Sequence, residues 1–124
     1  MATSVTLVWE CFASLVAART EFATRPCIYV QADREGRAVR VGKASMGLVA
    51  RYRGGTGYAL DAAMHGSGNR VFVAAVDQSL CELVEATLIQ EHKASLPYNN
   101  QAPSPDAPIR VVHAGIAPRF GGRE

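Results

Sequence analysis

The residue that most invites a chemical reading is Glu85. Ser79-Leu80-Cys81-Glu82 reads as a capping box, serine followed three residues later by glutamate, and predicts a helix running to about His92 or Lys93. At about 100° per residue, Cys81, Val84, Leu88 and Ile89 share one broad apolar arc. Glu85 falls inside that arc, between Leu88 and Ile89, with His92 beside it. A carboxylate turned toward a core needs a cation, either an arginine or a metal ion. The other reading is a glutamate at the edge of the stripe that reaches solvent. The helical wheel leaves both open.

Tyr29, Arg40, Lys43 and Arg51 form the second group. A strand tyrosine packs in a core, or it takes part in proton transfer when a neighbouring cation supports it. Arg40 and Lys43 are candidate cations. Arg51 suits bidentate phosphate binding, because a guanidinium is planar and keeps its charge; its plainer role is a charge on a helix surface. Gly42-Lys43-Ala44-Ser45 imitates the end of a phosphate-binding P-loop. The earlier glycine that motif requires would stand at position 37, which is Arg37, and the hydroxyl is displaced to Ser45, so a P-loop is not supported. No nucleophile elbow and no zinc-deaminase signature is present.

These residues need elements to position them. Cys27-Ile28-Tyr29-Val30-Gln31 is rich in strand formers, and Val39 and Val41 alternate with Arg40 and Gly42. Asp33-Arg34-Glu35-Gly36-Arg37 between them has turn chemistry, so the pair predicts a β-hairpin. Alternation puts Ile28, Val30, Val39 and Val41 on apolar faces, and Tyr29, Gln31, Arg40 and Gly42 on the other. Residues 5–22 suggest a helix through Leu15-Val16-Ala17-Ala18, with a short strand at Val5–Trp9 as the alternative. Ser45 can cap a helix through Leu48, Val49 and Arg51. A short helical piece is expected at Tyr58–Met64, a loop at His65–Asn69, and a buried strand at Val71–Val76. The four prolines after position 100 predict loop or tail, with Ile109–His113 a candidate edge strand.

Bulk properties set limits on these readings. A chain of 124 residues with 48% hydrophobic and 19% charged residues is one ordinary domain with room for a core. Its net charge of +2 permits a nucleic-acid partner without requiring one. Arg34, Arg37, Arg40, Lys43, Arg51 and Arg53 fall in one stretch, which is either a phosphate-binding face or a solvated surface. Cys11, Cys27 and Cys81 are odd in number and lack metal-ligand spacing, so reduced core thiols in a cytoplasmic protein are expected. His65, His92 and His113 form no ligand pair in the sequence. No signal peptide, membrane-length apolar run, repeat or interdomain linker is evident.

Taken together, Cys27-Ile28-Tyr29, Arg40-Val41-Gly42-Lys43-Ala44, Leu48 with Arg51, Glu85-Ala86-Thr87-Leu88-Ile89 and Pro97-Tyr98-Asn99 resemble, in order and spacing, the signature of the GIY-YIG nuclease family. The resemblance covers roughly residues 26–100. It implies a small α/β sandwich with a central antiparallel sheet of about three strands flanked by helices. Residues 1–25 would add an N-terminal helical extension, and residues 101–124 a C-terminal tail. It implies a metal-dependent DNA endonuclease in which Glu85 holds one magnesium or manganese ion. Tyr29 would help activate water, Arg51 would neutralise the phosphate, Lys43 would support either, and Asn99 would brace the site. Arg40, Arg53, Tyr58 and His65 would meet the substrate: DNA, or RNA as the other nucleic acid. No membrane partner is implied; a homodimer or a partner protein would supply specificity. Two departures stand out. Cys27 replaces the first glycine, and Arg40 replaces the second tyrosine, a change that points equally to a catalytically impaired nucleic-acid-binding module.

Overall fold

Thr3–Phe12 is one extended run, and along Ser4–Glu10 its side chains alternate in and out: Leu7 and Trp9 are buried, whereas Val8 between them is 59% exposed. Period-two burial is the mark of a strand, and these ten residues form one, β1. The computed structural model of the chain describes residues 3–13, 15–33, 35–51, 70–92 and 109–120. After β1 come helix α1 (Leu15–Glu21), strands β2 (Cys27–Ala32) and β3 (Ala38–Ala44), and helix α2 (Leu48–Arg51). Strand β4 (Arg70–Ala75) follows, then a 3-10 turn (Gln78–Leu80), helix α3 (Cys81–His92) and strand β5 (Ile109–Gly115).

The strands form one five-stranded mixed sheet in the order β3-β2-β4-β1-β5. β2 pairs antiparallel with β3 and β4, and β4 antiparallel with β1, while β5 runs parallel to β1 from Thr3 opposite Ile109 to Trp9 opposite Gly115. This corrects the expected sheet of about three antiparallel strands flanked by helices. The described residues are mostly strands, with α1 and α2 only seven and four residues long. The physical reason lies in β1. The helix at Leu15–Ala18 does not reach back over residues 5–12; the alternative reading of Val5–Trp9 as a strand is the one that holds, and that strand runs from Thr3 to Phe12. Burying Leu7 and Trp9 then requires neighbours on both sides, β4 and β5. The expected helix at Tyr58–Met64 and loop at His65–Asn69 lie outside the described residues.

The hairpin forms at the expected place. Gly36 takes φ +84°, and Asp33 organises the turn by accepting from the backbone N–H groups of Glu35 (2.9 Å) and Arg37 (3.0 Å). The start of α3 differs from the capping-box reading. Asp77, not Ser79, caps the 3-10 turn that leads into it, accepting from the Ser79 backbone N–H at 3.1 Å and from the Ser79 hydroxyl.

Both faces of the sheet carry buried clusters. On one face Ile28, Val30, Val41, Phe72 and Ala74 pack with Cys81, Val84, Leu88 and Ile89 of α3. On the other, Cys27, Tyr29, Ala44, Val71 and Val73 pack with Ala18, Phe22 and Leu48. Among the described residues, no helix is long and apolar enough to cross a membrane.

Candidate nucleic-acid site

Register decides what the hairpin presents. Tyr29 stands opposite Gly42 and Gln31 opposite Arg40, so these four share a face. With no side chain at Gly42, the Tyr29 ring lies over that backbone; a Cβ there would meet Tyr29 Cζ at 2.2 Å and its oxygen at 2.3 Å. The ring therefore leans toward β3, and Arg40 Nη1 donates to the phenol oxygen at 3.0 Å. The Arg40 guanidinium carbon is 5.8 Å from the ring centroid. Tyr29 is fully buried, and Arg40 is half-buried.

Helix α2 packs on this same face. Leu48 joins the Tyr29 cluster, and the Leu48 and Val49 backbone N–H groups donate to the carbonyls of Phe22 (2.9 Å) and Ala23 (3.2 Å). Arg51 is the last residue of α2. Tyr29, Arg40 and the helix that carries Arg51 therefore belong to one side of the sheet.

Lys43 and Glu85 belong to the other. Lys43 stands opposite Ile28, whose face α3 covers. Glu85 is half-buried on α3, in a stretch where Ala86 and Thr87 are buried as well as Val84, Leu88 and Ile89. The Cys81 thiol registers both charges: burial pushes it up, Lys43 pulls it down, and Asp77 and Glu85 push it up. The structure thus brings Tyr29 together with Arg40 on one side of the sheet, and sets Lys43 and the helix of Glu85 on the other. Among the described residues, no group of three or more His, Cys, Asp and Glu side chains is placed to hold a metal ion.

The basic stretch is partly neutralised by its own turn. The Arg37 guanidinium reaches Asp33 at 3.1 Å and Glu35 at 3.0 Å. Desolvation pushes the Asp33 carboxyl up, but hydrogen bonds from the Arg37 and Glu35 backbone and the Arg37 charge outweigh it and hold the group below the ordinary aspartate range. Arg34, Arg53, Tyr58, His65 and Asn99 lie outside the described residues, as does the side chain of Arg51.

Sequence reasoning missed one constellation. His92 and His113, read as unrelated, both pack on Phe120, with centroids 4.5 and 5.1 Å away, and His113 is bonded to Trp9. No local signal joins residues that distant in the chain. In comparisons with known proteins, the chain matches no family model, no curated protein and no solved structure.

Proposed function

We propose that this chain is a nucleic-acid-binding domain of the GIY-YIG type, which engages phosphodiester groups along the face formed by β2, β3 and α2. The observation that carries this reading is the Arg40–Tyr29 hydrogen bond. A guanidinium already held in place loses less freedom when it meets a phosphate than one on a mobile side chain. It stands on the side of the sheet against which α2, the helix that ends at Arg51, packs. Binding is favoured over cutting because Tyr29 is fully buried and Glu85 sits across the sheet from it. Cleavage needs nucleophile, phosphate charge and leaving-group assistance at one point.

The second reading is a metal-dependent DNA endonuclease. It is favoured by the same hydrogen bond, which holds a cation against the tyrosine oxygen. In that reading Glu85 would hold one magnesium or manganese ion, which supplies charge neutralisation at the phosphate. Arg51 would bind the phosphate, Lys43 would support it from β3, and Asn99 would brace the site. Tyr58, His65 and Arg53 would extend the contact surface. DNA is the primary substrate in either reading, with RNA the other nucleic acid to assay; a homodimer or a partner protein would supply specificity.

The experiment measures binding and cleavage side by side on supercoiled, linear and branched DNA, with magnesium or manganese, for wild type, Glu85→Gln and Tyr29→Phe. Salt-dependent binding without cleavage supports the binding domain. Cleavage lost roughly 100-fold in both variants, about 2.7 kcal/mol of transition-state stabilisation, supports the endonuclease. Neither binding nor cleavage rejects both.

A further inference from the structure

After β5 the chain does not trail away. The Ile116 N–H donates to the Trp9 carbonyl at 3.1 Å. Three residues on, the Arg119 N–H donates to Gly36 O and the Ala38 N–H donates to Arg119 O, both at 2.8 Å. Residues 116–120 therefore strap β5, at one edge of the sheet, to the turn that feeds β3 at the other. That turn leads two residues later to Arg40.

We propose that His113 is a pH-responsive fastener of this strap: neutral, it holds Trp9 and Phe120 in place, and protonated, it releases them and loosens the turn beside Arg40. The geometry is specific about its proton. Trp9 Nε1 lies 2.9 Å from His113 Nδ1, and an indole N–H only donates. His113 Nδ1 must therefore accept, so its proton sits on Nε2. Protonation puts a second N–H against the indole N–H. The hydrogen bond is lost, and Trp9, which is 1% exposed, is left with a buried donor. The aromatic stack transmits this to the strap. His113 lies 6.0 Å from Trp9 and 5.1 Å from Phe120 between ring centroids, and Phe120 stacks on His92 at 4.5 Å.

The groups around His113 fix the direction of the switch. α3 presents His92 and Glu91, β1 presents the uncharged Trp9, and the strap presents Phe120. Burial of the ring, followed by the charge of His92, pushes His113 below the ordinary histidine value of 6.5, and Glu91 only partly opposes them. His113 is exposed as a residue, so solvent protons reach it even though Nδ1 is turned inward. The strap is fastened at neutral pH and opens as the pH falls through the His113 midpoint below 6.5.

The test follows three signals by NMR and fluorescence from pH 8 to pH 5: the His113 ring, the emission of Trp9 (the only tryptophan), and the protection factors of the Ala38 and Arg119 amides. All three change with one midpoint below 6.5. Amide protection falls about tenfold for each unit by which that midpoint is depressed. His113→Asn, which keeps an acceptor and cannot titrate there, leaves Trp9 emission and amide protection flat. His92→Gln, which removes a like charge, moves the midpoint up. Amides that stay protected while His113 titrates, or a transition that survives in His113→Asn, would overturn the proposal. Should His113→Asn fail to fold, an unmoved midpoint in His92→Gln overturns it as well.

Discussion

The ring of Tyr29 rests on the bare backbone of Gly42, where an added Cβ would come within 2.2 Å of Tyr29 Cζ. This contact is what glycine contributes at position 42. It lets the phenol tip toward β3 and reach Arg40. Gly42→Ala forces the ring or the strand to move in a fully buried cluster. A loss of about 1–3 kcal/mol in denaturant unfolding is expected, the usual size of overpacking. Phe at position 29 would not relieve it, because the ring itself collides. Unchanged stability in Gly42→Ala would show that the ring lies elsewhere.

Arg40 and Tyr29 should be energetically coupled. A double-mutant cycle with Tyr29→Phe and Arg40→Met is expected to give an interaction of about 0.5–1.5 kcal/mol, the range for one hydrogen bond net of solvation. Additive effects would mean that the 3.0 Å contact carries no energy in solution.

Some of this was legible in the chain and some was not. Strand alternation sorted Tyr29 and Arg40 to a common face, because register in a two-stranded hairpin is a local property of the turn around Gly36. The helix carrying Glu85 was legible from its apolar period, although a 3-10 turn capped by Asp77, and not a Ser79 capping box, leads into it. The number of strands was not legible. Thr3 pairs with Ile109 across nearly the whole chain, and nothing local records such a partner. For the same reason, a wheel shows that Glu85 borders a core but not which face of the sheet that core belongs to. That second fact separates it from Tyr29.

The three thiols should differ sharply in reactivity. Burial, then the neighbouring Cys81, pushes Cys27 up to about 12, so almost none of it is thiolate at neutral pH. Cys81 is raised chiefly by burial and is 1% exposed. Cys11 is raised by burial as well, but Arg70 opposes that, and the residue is only half-buried. With a maleimide under native conditions, peptide mass spectrometry should find Cys11 modified first, at least about tenfold faster than Cys27. Equal rates would mean that the core around Cys27 opens freely.

Global stability should also fall in mild acid. His92 is held below 6.5 by burial, and His113 by burial and then by His92. The unfolded chain therefore takes up protons at a higher pH than the folded one. Stability from both groups is fully present above pH 6.5 and is lost as the pH drops through the folded values. Urea midpoints should be level between pH 7 and 8 and decline toward pH 5. A midpoint that rises over that interval would contradict the burial of both rings.

The central claim is a phosphate-binding face built on Arg40 and the helix of Arg51. Its most direct test is the salt dependence of DNA affinity, measured by fluorescence anisotropy between roughly 50 and 200 mM salt. Wild type should bind with a clear negative slope of log affinity against log salt, and Arg40→Gln and Arg51→Gln should each make that slope shallower by about one. Affinity that is absent, or a slope untouched by both substitutions, would contradict the account.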